Sequence, residues 1–134
     1  MENNWDLKLH VKSSMQKKEG QWHFFIGRWQ PLHFGHKEMF NQILSRGENV
    51  CIGIRDGSLD EKNPFTSQEV LKNITTEYNH NINVLKNIQV IIIPDICSIN
   101  FGRGVGYDIV EHIPPSEVAE ISATKIREQM KSSL

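Results

Sequence analysis

Short apolar runs that alternate with segments of helical periodicity are the feature that most constrains this fold. The apolar runs cover residues 22–27, 50–54 and 88–93. Continuous hydrophobicity of this kind is typical of buried strands in a parallel sheet with helices on both faces. Right-handed connections between such strands give a doubly wound α/β fold. The chain has 134 residues, which is the size of a single domain of this class.

Helical periodicity follows each of the first two predicted strands. After the first strand, four apolar residues recur at helical spacing and predict a helix: Met39, Phe40, Ile43 and Leu44. Gly47 lies where this helix should end. A second helix is predicted to begin at Thr66 or Ser67, because either hydroxyl can cap it. A last helix is predicted near Ser122. In such folds ligands bind at the carboxyl ends of the strands, so residues 27–37 are of particular interest.

The two ends of the chain give weaker patterns. Residues 107–113 alternate and predict a fourth strand, which Pro114 and Pro115 would end. Residues 1–21 are polar with a weak alternation, which predicts an N-terminal extension with at most a short edge strand. We therefore expect the main domain to span residues 22–134.

Charge and composition exclude several classes of protein. The chain carries 15 basic and 16 acidic residues, a net charge of −1, so it has no overall positive field for nucleic acid. No apolar run approaches the roughly 20 residues of a membrane helix. The N-terminal segment has no apolar secretory stretch, and Cys51 and Cys97 lack a metal or redox spacing. We expect a cytoplasmic protein that binds neither nucleic acid nor membranes.

The segment between the first strand and the first helix has an unusual charge. A helix start exposes N–H groups and partial positive charge, so an acid is the usual residue there. This chain instead places cations and imidazoles around it, and two glycines permit close approach of a ligand. The residues are Gly27, Arg28, His33, Gly35, His36 and Lys37. The pattern predicts a phosphate-binding site.

The start of the last helix repeats this pattern. Ser122 and Thr124 supply hydroxyls, while Lys125 and Arg127 supply positive charge where a capping box would have an acid. Two such helix starts at strand ends predict a polyphosphate ligand. We predict no protein-held metal, because the His33 and His36 pair has no evident third ligand.

Three segments resemble the HxGH nucleotidyltransferase superfamily, which has the cytidylyltransferase-like fold. Gly27-Arg-Trp-Gln-Pro-Leu-His-Phe-Gly-His36 resembles the GRFQPxHxGH segment, with Trp29 in place of the usual Phe. Ile121-Ser-Ala-Thr-Lys-Ile-Arg127 resembles the ISxTxIR segment. Lys62-Asn-Pro-Phe-Thr66 resembles the NPFT stretch of archaeal-type nicotinamide-mononucleotide adenylyltransferases. The resemblance covers residues 22–132 and implies a compact Rossmann-like doubly wound domain.

The resemblance implies transfer of a nucleotidyl group from a nucleoside triphosphate to a small phosphorylated acceptor, with release of pyrophosphate. His33, His36 and Arg127 would be catalytic. The nucleotide and its phosphates would be bound by Gly27, Arg28, Gly35, Lys37, Ser122 and Thr124. Mg²⁺ would be carried by the triphosphate rather than by the protein. Homo-oligomers are common in the superfamily.

Two differences from the nicotinamide-mononucleotide adenylyltransferases leave the identity of the acceptor undetermined. An Arg that follows NPFT in those enzymes is missing, and either Arg55 or Lys72 could replace it. A tryptophan-containing insertion after the third strand is also missing. Asp95, Phe101, Arg103 and Tyr107 lie in its place and are candidate acceptor-binding residues. The alternatives are a CTP-dependent cytidylyltransferase for a phosphorylated alcohol, which the short length resembles, and a non-catalytic nucleotide-binding regulator. Arg28, Gln30 and Pro31 resemble the adenylyltransferases and so favour ATP over CTP, with nicotinamide mononucleotide as an example of the acceptor.

Overall fold

The computed structural model describes residues 5–12, 20–104, 106–119 and 123–132. Its strands are β1 (Asp6–Val11), β2 (Trp22–Gly27), β3 (Asn49–Asp56), β4 (Ile88–Pro94) and β5 (Ile109–Ile113). Its helices are α1 (Phe34–Leu44), α2 (Ser67–Tyr78), α3 (Ile82–Leu85), α4 (Ser116–Ala119) and α5 (Ala123–Ser132). None of the described helices is long and apolar enough to cross a membrane.

Strands β2, β3 and β4 form a parallel sheet in that order, with β3 in the centre. The three apolar runs therefore pair as predicted, and Phe25, Ile52 and Val90 lie side by side across the sheet. The crossovers through α1 and α2 place both helices over the face that carries this row. The prediction of an α/β fold with a parallel sheet is confirmed.

The core lies between this face and the two helices. Phe40 and Ile43 from α1 pack with Val70 and Ile74 from α2, and all four are buried. The opposite face is more open, since Phe24 is 49% exposed there. The Phe24 ring lies over Gly53, where a Cβ would come within 2.5 Å of the ring.

Two helix ends follow their sequence signals. Thr66 caps α2, because its hydroxyl accepts from the Glu69 N–H while the Glu69 carboxylate accepts from the Thr66 N–H. Helix α1 is followed by Gly47 with φ of 74°, the left-handed conformation that glycine adopts most readily. The start of α2 and the end of α1 therefore lie where the sequence indicates.

The predicted fourth strand is shorter than expected and lies outside the parallel sheet. Strand β5 begins at Ile109 and pairs antiparallel with β1 in a separate two-stranded sheet. Alternation along residues 107–113 fits this arrangement, because such strands keep one face exposed. The His112 ring lies 5.2 Å from the Phe25 ring, which joins the small sheet to the main core. Part of the predicted extension thus forms a strand, and a domain boundary after residue 21 stays a prediction.

Candidate active site

The loop between β2 and α1 has an irregular backbone that is held by buried contacts. Trp29 has a φ of 54°, and the Gln30–Pro31 peptide bond is cis. The buried Gln30 side chain donates to the Phe65 carbonyl at 2.8 Å and accepts from the Phe65 N–H at 2.9 Å. Gln30 therefore joins this loop to the segment that contains NPFT, a contact that the sequence did not predict.

Trp29 is a second structural residue that the sequence analysis did not single out. Its side chain is 6% exposed, and its indole N–H donates to the Gly53 carbonyl at 3.1 Å. The indole packs edge-on against His36, with ring centroids 4.8 Å apart. A Cβ at Gly27 would lie 2.9 Å from the same indole, so the glycine makes room for it. The only hint in the sequence of this structural role was that Trp29 stands where the resembling segment usually has Phe.

His33 and His36 cap the start of α1 reciprocally. The His36 N–H donates to His33 Nδ1 at 3.4 Å, and the His33 N–H donates to His36 Nδ1 at 3.2 Å. The two rings stack with centroids 3.6 Å apart. Gly35 lies against this pair, because a Cβ there would be 2.9 Å from His33 Cε1. The first turn of α1 has no acid, in agreement with its sequence.

The reciprocal cap determines the tautomer of both imidazoles. A backbone N–H can only donate, so each Nδ1 must be an unprotonated acceptor. The proton of each neutral ring is then on Nε2, which leaves Nε2–H as the side-chain donor. The start of α1 therefore presents two oriented hydrogen-bond donors beside the partial positive charge of the helix.

Burial keeps this pair neutral. Burial, together with a smaller effect of the nearby His33, lowers the pKa of His36 to about 3. Burial also lowers the pKa of His33. Two stacked imidazoles cannot easily carry charge together, because like charges at this distance disfavour each other. The site therefore offers neutral donors at neutral pH.

This assignment predicts the acid sensitivity of the protein. The unfolded chain binds a proton at His36 near pH 6.5, whereas the folded protein binds it only near pH 3. Stability from His36 is therefore full above pH 6.5 and is lost as the pH falls towards 3. We expect NMR to show His36 as the neutral Nε2–H tautomer at pH 5. Titration of His36 with a midpoint near 6.5 would contradict this.

Helix α5 brings Arg127 to the same loop. Arg127 Nη1 donates to the Gln30 carbonyl at 2.5 Å, although the two residues are 97 positions apart in sequence. Like α1, α5 has no acid in its first turn. Ser122 lies outside the described residues, as does the side chain of Thr124. The structure thus brings Arg127 to the loop that precedes the histidine pair.

Arg28, Arg55 and Asp95 meet at the carboxyl ends of the three parallel strands. Arg28 Nη2 lies 3.0 and 3.1 Å from the two carboxylate oxygens of Asp95. Arg55 Nη2 donates to the same carboxylate at 3.1 Å and to the Ile96 carbonyl at 2.7 Å. The Arg28 guanidinium lies over Gly57, which has no side chain to obstruct it. Arg55 was noted in the sequence only as a replacement for the missing Arg.

The remaining predicted site residues lie apart from the histidine pair or in an exposed loop. Lys37 forms an ion pair with Glu77 of α2 at 2.7 Å, so its ammonium group faces the groove between α1 and α2. Phe101, Arg103 and Tyr107 are exposed on the loop after β4. Among the described residues, no group of three or more His, Cys, Asp or Glu is arranged to hold a metal ion.

Comparisons with known proteins identify a family model and several curated relatives that match this chain. A family model described as cytidylyltransferase-like matches residues 24–129. A nicotinamide-nucleotide adenylyltransferase of Archaeoglobus fulgidus is 34% identical over 80 residues, which cover 54% of this chain and 45% of that protein. The enzyme of the same name from Methanococcus maripaludis strain C5 is 42% identical over 65 residues, 45% of this chain and 37% of that protein. The chain therefore matches less than half the length of these curated relatives.

Proposed function

This chain belongs to the cytidylyltransferase-like family, and on that premise we propose that it is a nucleotidyltransferase that transfers AMP from ATP to a small phosphorylated acceptor. Nicotinamide mononucleotide is the acceptor that we propose. A phosphate oxygen of the acceptor attacks the α-phosphorus of ATP, a new phosphoanhydride bond forms, and pyrophosphate leaves. No covalent enzyme intermediate is needed, so the protein acts by positioning the reactants and stabilising charge.

The reciprocal cap of His33 and His36 is the observation that carries this proposal. Both Nδ1 atoms accept backbone N–H groups, so both Nε2–H groups are available as donors. Donors of fixed orientation at a helix start suit the oxygens of a phosphoryl group that gains charge in the transition state. Because the rings are already neutral and held in place, little reorganisation is needed during reaction.

The remaining phosphate contacts would come from the two ends of the domain. Arg127 would bind the β- and γ-phosphates together with Ser122 and Thr124, and its contact with the Gln30 carbonyl keeps it near the histidine loop. Arg28 would bind the triphosphate through its guanidinium. Gly27 and Gly35, predicted as phosphate-binding residues, instead make room for the Trp29 indole and the His33 ring. Lys37 would need to leave Glu77 to take part, so we assign it the smallest role.

The choice of ATP and nicotinamide mononucleotide rests on similarity. Both curated relatives described above are named nicotinamide-nucleotide adenylyltransferases. Asp95, Phe101, Arg103 and Tyr107 would face the acceptor, since they occupy the loop after β4. Phe101 is 50% exposed and Tyr107 49% exposed, so either ring could stack on a base without disturbing the core.

Mg²⁺ would be bound mainly by the triphosphate. The hard cation prefers oxygen ligands, whereas the described site offers imidazole nitrogens and guanidinium groups, and the Asp95 carboxylate is held by two arginines. When bound, the metal would neutralise charge on the phosphates. The protein residues bind and orient the same phosphates independently of direct metal contact.

A two-triphosphate assay tests this proposal. Purified protein is incubated with Mg²⁺ and either ATP or CTP, and pyrophosphate release is measured with nicotinamide mononucleotide and with glycerol 3-phosphate. We expect release with ATP and nicotinamide mononucleotide. Release only with CTP and glycerol 3-phosphate would identify a cytidylyltransferase instead. Tight ATP binding without release for any acceptor would identify a nucleotide-binding regulator.

A further inference from the structure

The cluster of Arg28, Arg55 and Asp95 holds two guanidinium groups around one carboxylate. The three residues lie at the carboxyl ends of adjacent strands. Arg28 comes directly after β2, Arg55 is near the end of β3, and Asp95 comes directly after β4.

The three residues alone carry one net positive charge, which the nearby Asp60 carboxylate offsets through its interaction with Arg28. The neighbouring Asp56 carboxylate accepts from the Ser67 hydroxyl at 2.8 Å. An anion that binds at this edge of the sheet must therefore do so through hydrogen bonds from arginine rather than through a net positive field.

Arg55 has unused donor capacity in this arrangement. Its hydrogen bonds to Asp95 and to the Ile96 carbonyl both use Nη2. Its Nε is buried and has no hydrogen-bond partner. Because that atom is shielded from solvent, an anion would be bound through the Nη groups of the guanidinium. The Arg55 side chain is 33% exposed, so the guanidinium can still be reached from solvent.

A groove of about 440 Å³ lies directly beside Arg55. Its walls are Ile26, Arg55 and residues 96–99. The apolar walls and the single cation suit a small organic molecule that carries an anionic group. The groove is at the carboxyl end of the parallel strands, on the same loop that holds Asp95.

The alternative cation, Lys72, lies in a different place. Lys72 lines the groove between α1 and α2, together with Lys37 and Glu77. Val70 lies in the segment after NPFT where the resemblance leads us to expect an Arg, and it is fully buried in the core. No cation can therefore come from that point of α2. Of the two candidates that the sequence left open, only Arg55 faces the carboxyl edge of the sheet.

We propose that Arg55 binds and positions the phosphomonoester of the acceptor. This rests on the proposed function, because the same phosphate would attack ATP. Asp95 holds Arg55 in place without ligand, and the phosphate competes for the same guanidinium. Bidentate, charge-assisted hydrogen bonds from arginine to phosphate are strong and geometrically specific. The corresponding unphosphorylated nucleoside lacks this contact.

Binding of ribose 5-phosphate, measured by calorimetry without ATP, tests the assignment. We compare the wild type with Arg55→Met, Arg55→Lys and the control Arg46→Met. Arg46 is a suitable control because it is an exposed arginine that is also ion-paired with a carboxylate, that of Glu48 at 3.2 Å. We expect about 10- to 100-fold weaker binding by Arg55→Met, a smaller loss by Arg55→Lys, and no change by Arg46→Met.

The experiments distinguish failure of the Arg55 assignment from failure of the proposed function. Thermal unfolding first establishes that each variant is folded. If ribose 5-phosphate binding depends on Arg55 but ATP is not consumed with nicotinamide mononucleotide, the proposed function is wrong, and only the binding of a phosphomonoester by Arg55 is supported. If adenylyl transfer occurs and Arg55→Met leaves both ribose 5-phosphate affinity and the KM for nicotinamide mononucleotide unchanged, Arg55 does not bind the phosphate. Absence of ribose 5-phosphate binding by the wild type would overturn the assignment as well.

Discussion

His36→Ala is expected to lower kcat about 10²- to 10³-fold while the protein remains folded. The substitution removes one of the two oriented Nε2–H donors at the start of α1. It also removes the acceptor of the His33 N–H, which costs about 1 kcal/mol of stability. That cost is small beside the lost stabilisation of the transition state. Steady-state pyrophosphate release with ATP and nicotinamide mononucleotide measures the effect.

A matched control shows whether the loss of turnover is specific to His36 or follows from the removal of any histidine. His10 is exposed on β1, where its Nε2 lies 2.9 Å from a Glu111 carboxylate oxygen. His10→Ala therefore removes an imidazole that is far from the start of α1. We expect wild-type turnover from this variant. If folded His36→Ala turned over at the wild-type rate, the assignment of His36 would be wrong.

Phe40→Ala is expected to remove about 3–5 kcal/mol from the free energy of unfolding. Phe40 is fully buried, and its ring lies 5.2 Å from both the Phe25 and the Trp29 rings. Truncation leaves a cavity between the sheet and α1 that these neighbours cannot easily fill. Urea denaturation followed by circular dichroism measures the change, since a lower midpoint with an unchanged slope reports lost stability.

Phe34→Ala is the natural control for Phe40→Ala. Phe34 is in the same helix but is 51% exposed, so its loss should cost about 1 kcal/mol or less. Equal losses for the two variants would show that the packing around Phe40 does not support the core. Phe40 also contacts Trp29, which packs against His36, so its truncation should disturb the site as well as the fold.

The main features of the fold could be predicted because they depend on local patterns. The run at residues 50–54 is apolar throughout, and β3 is indeed the central, buried strand of the parallel sheet. Thr66 and Gly47 mark helix ends through hydrogen bonding and backbone conformation, which act over only a few residues. The partner of β5 could not be predicted in this way, because its pairing with β1 joins residues about a hundred positions apart.

The site was predictable in its residue types but not in its contacts. The missing acid and the two histidines at the start of α1 indicate an anion site, because a helix start has unsatisfied N–H groups whatever the rest of the fold. The reciprocal cap of His33 and His36 is a matter of side-chain geometry that the sequence does not contain. The same is true of Gln30, whose amide bonds the backbone of Phe65, and of Asp95, which meets two arginines only once three strands are aligned.

The central claim is that this chain transfers the adenylyl group of ATP, and the fate of the α-phosphate tests it most directly. Protein is incubated with Mg²⁺, nicotinamide mononucleotide and ATP that is labelled at the α-phosphate, and products are separated by chromatography. We predict that the label appears in a dinucleotide and that one pyrophosphate is released for each dinucleotide formed. Label that remains in ATP, or that appears only in free AMP or ADP, would contradict the claim.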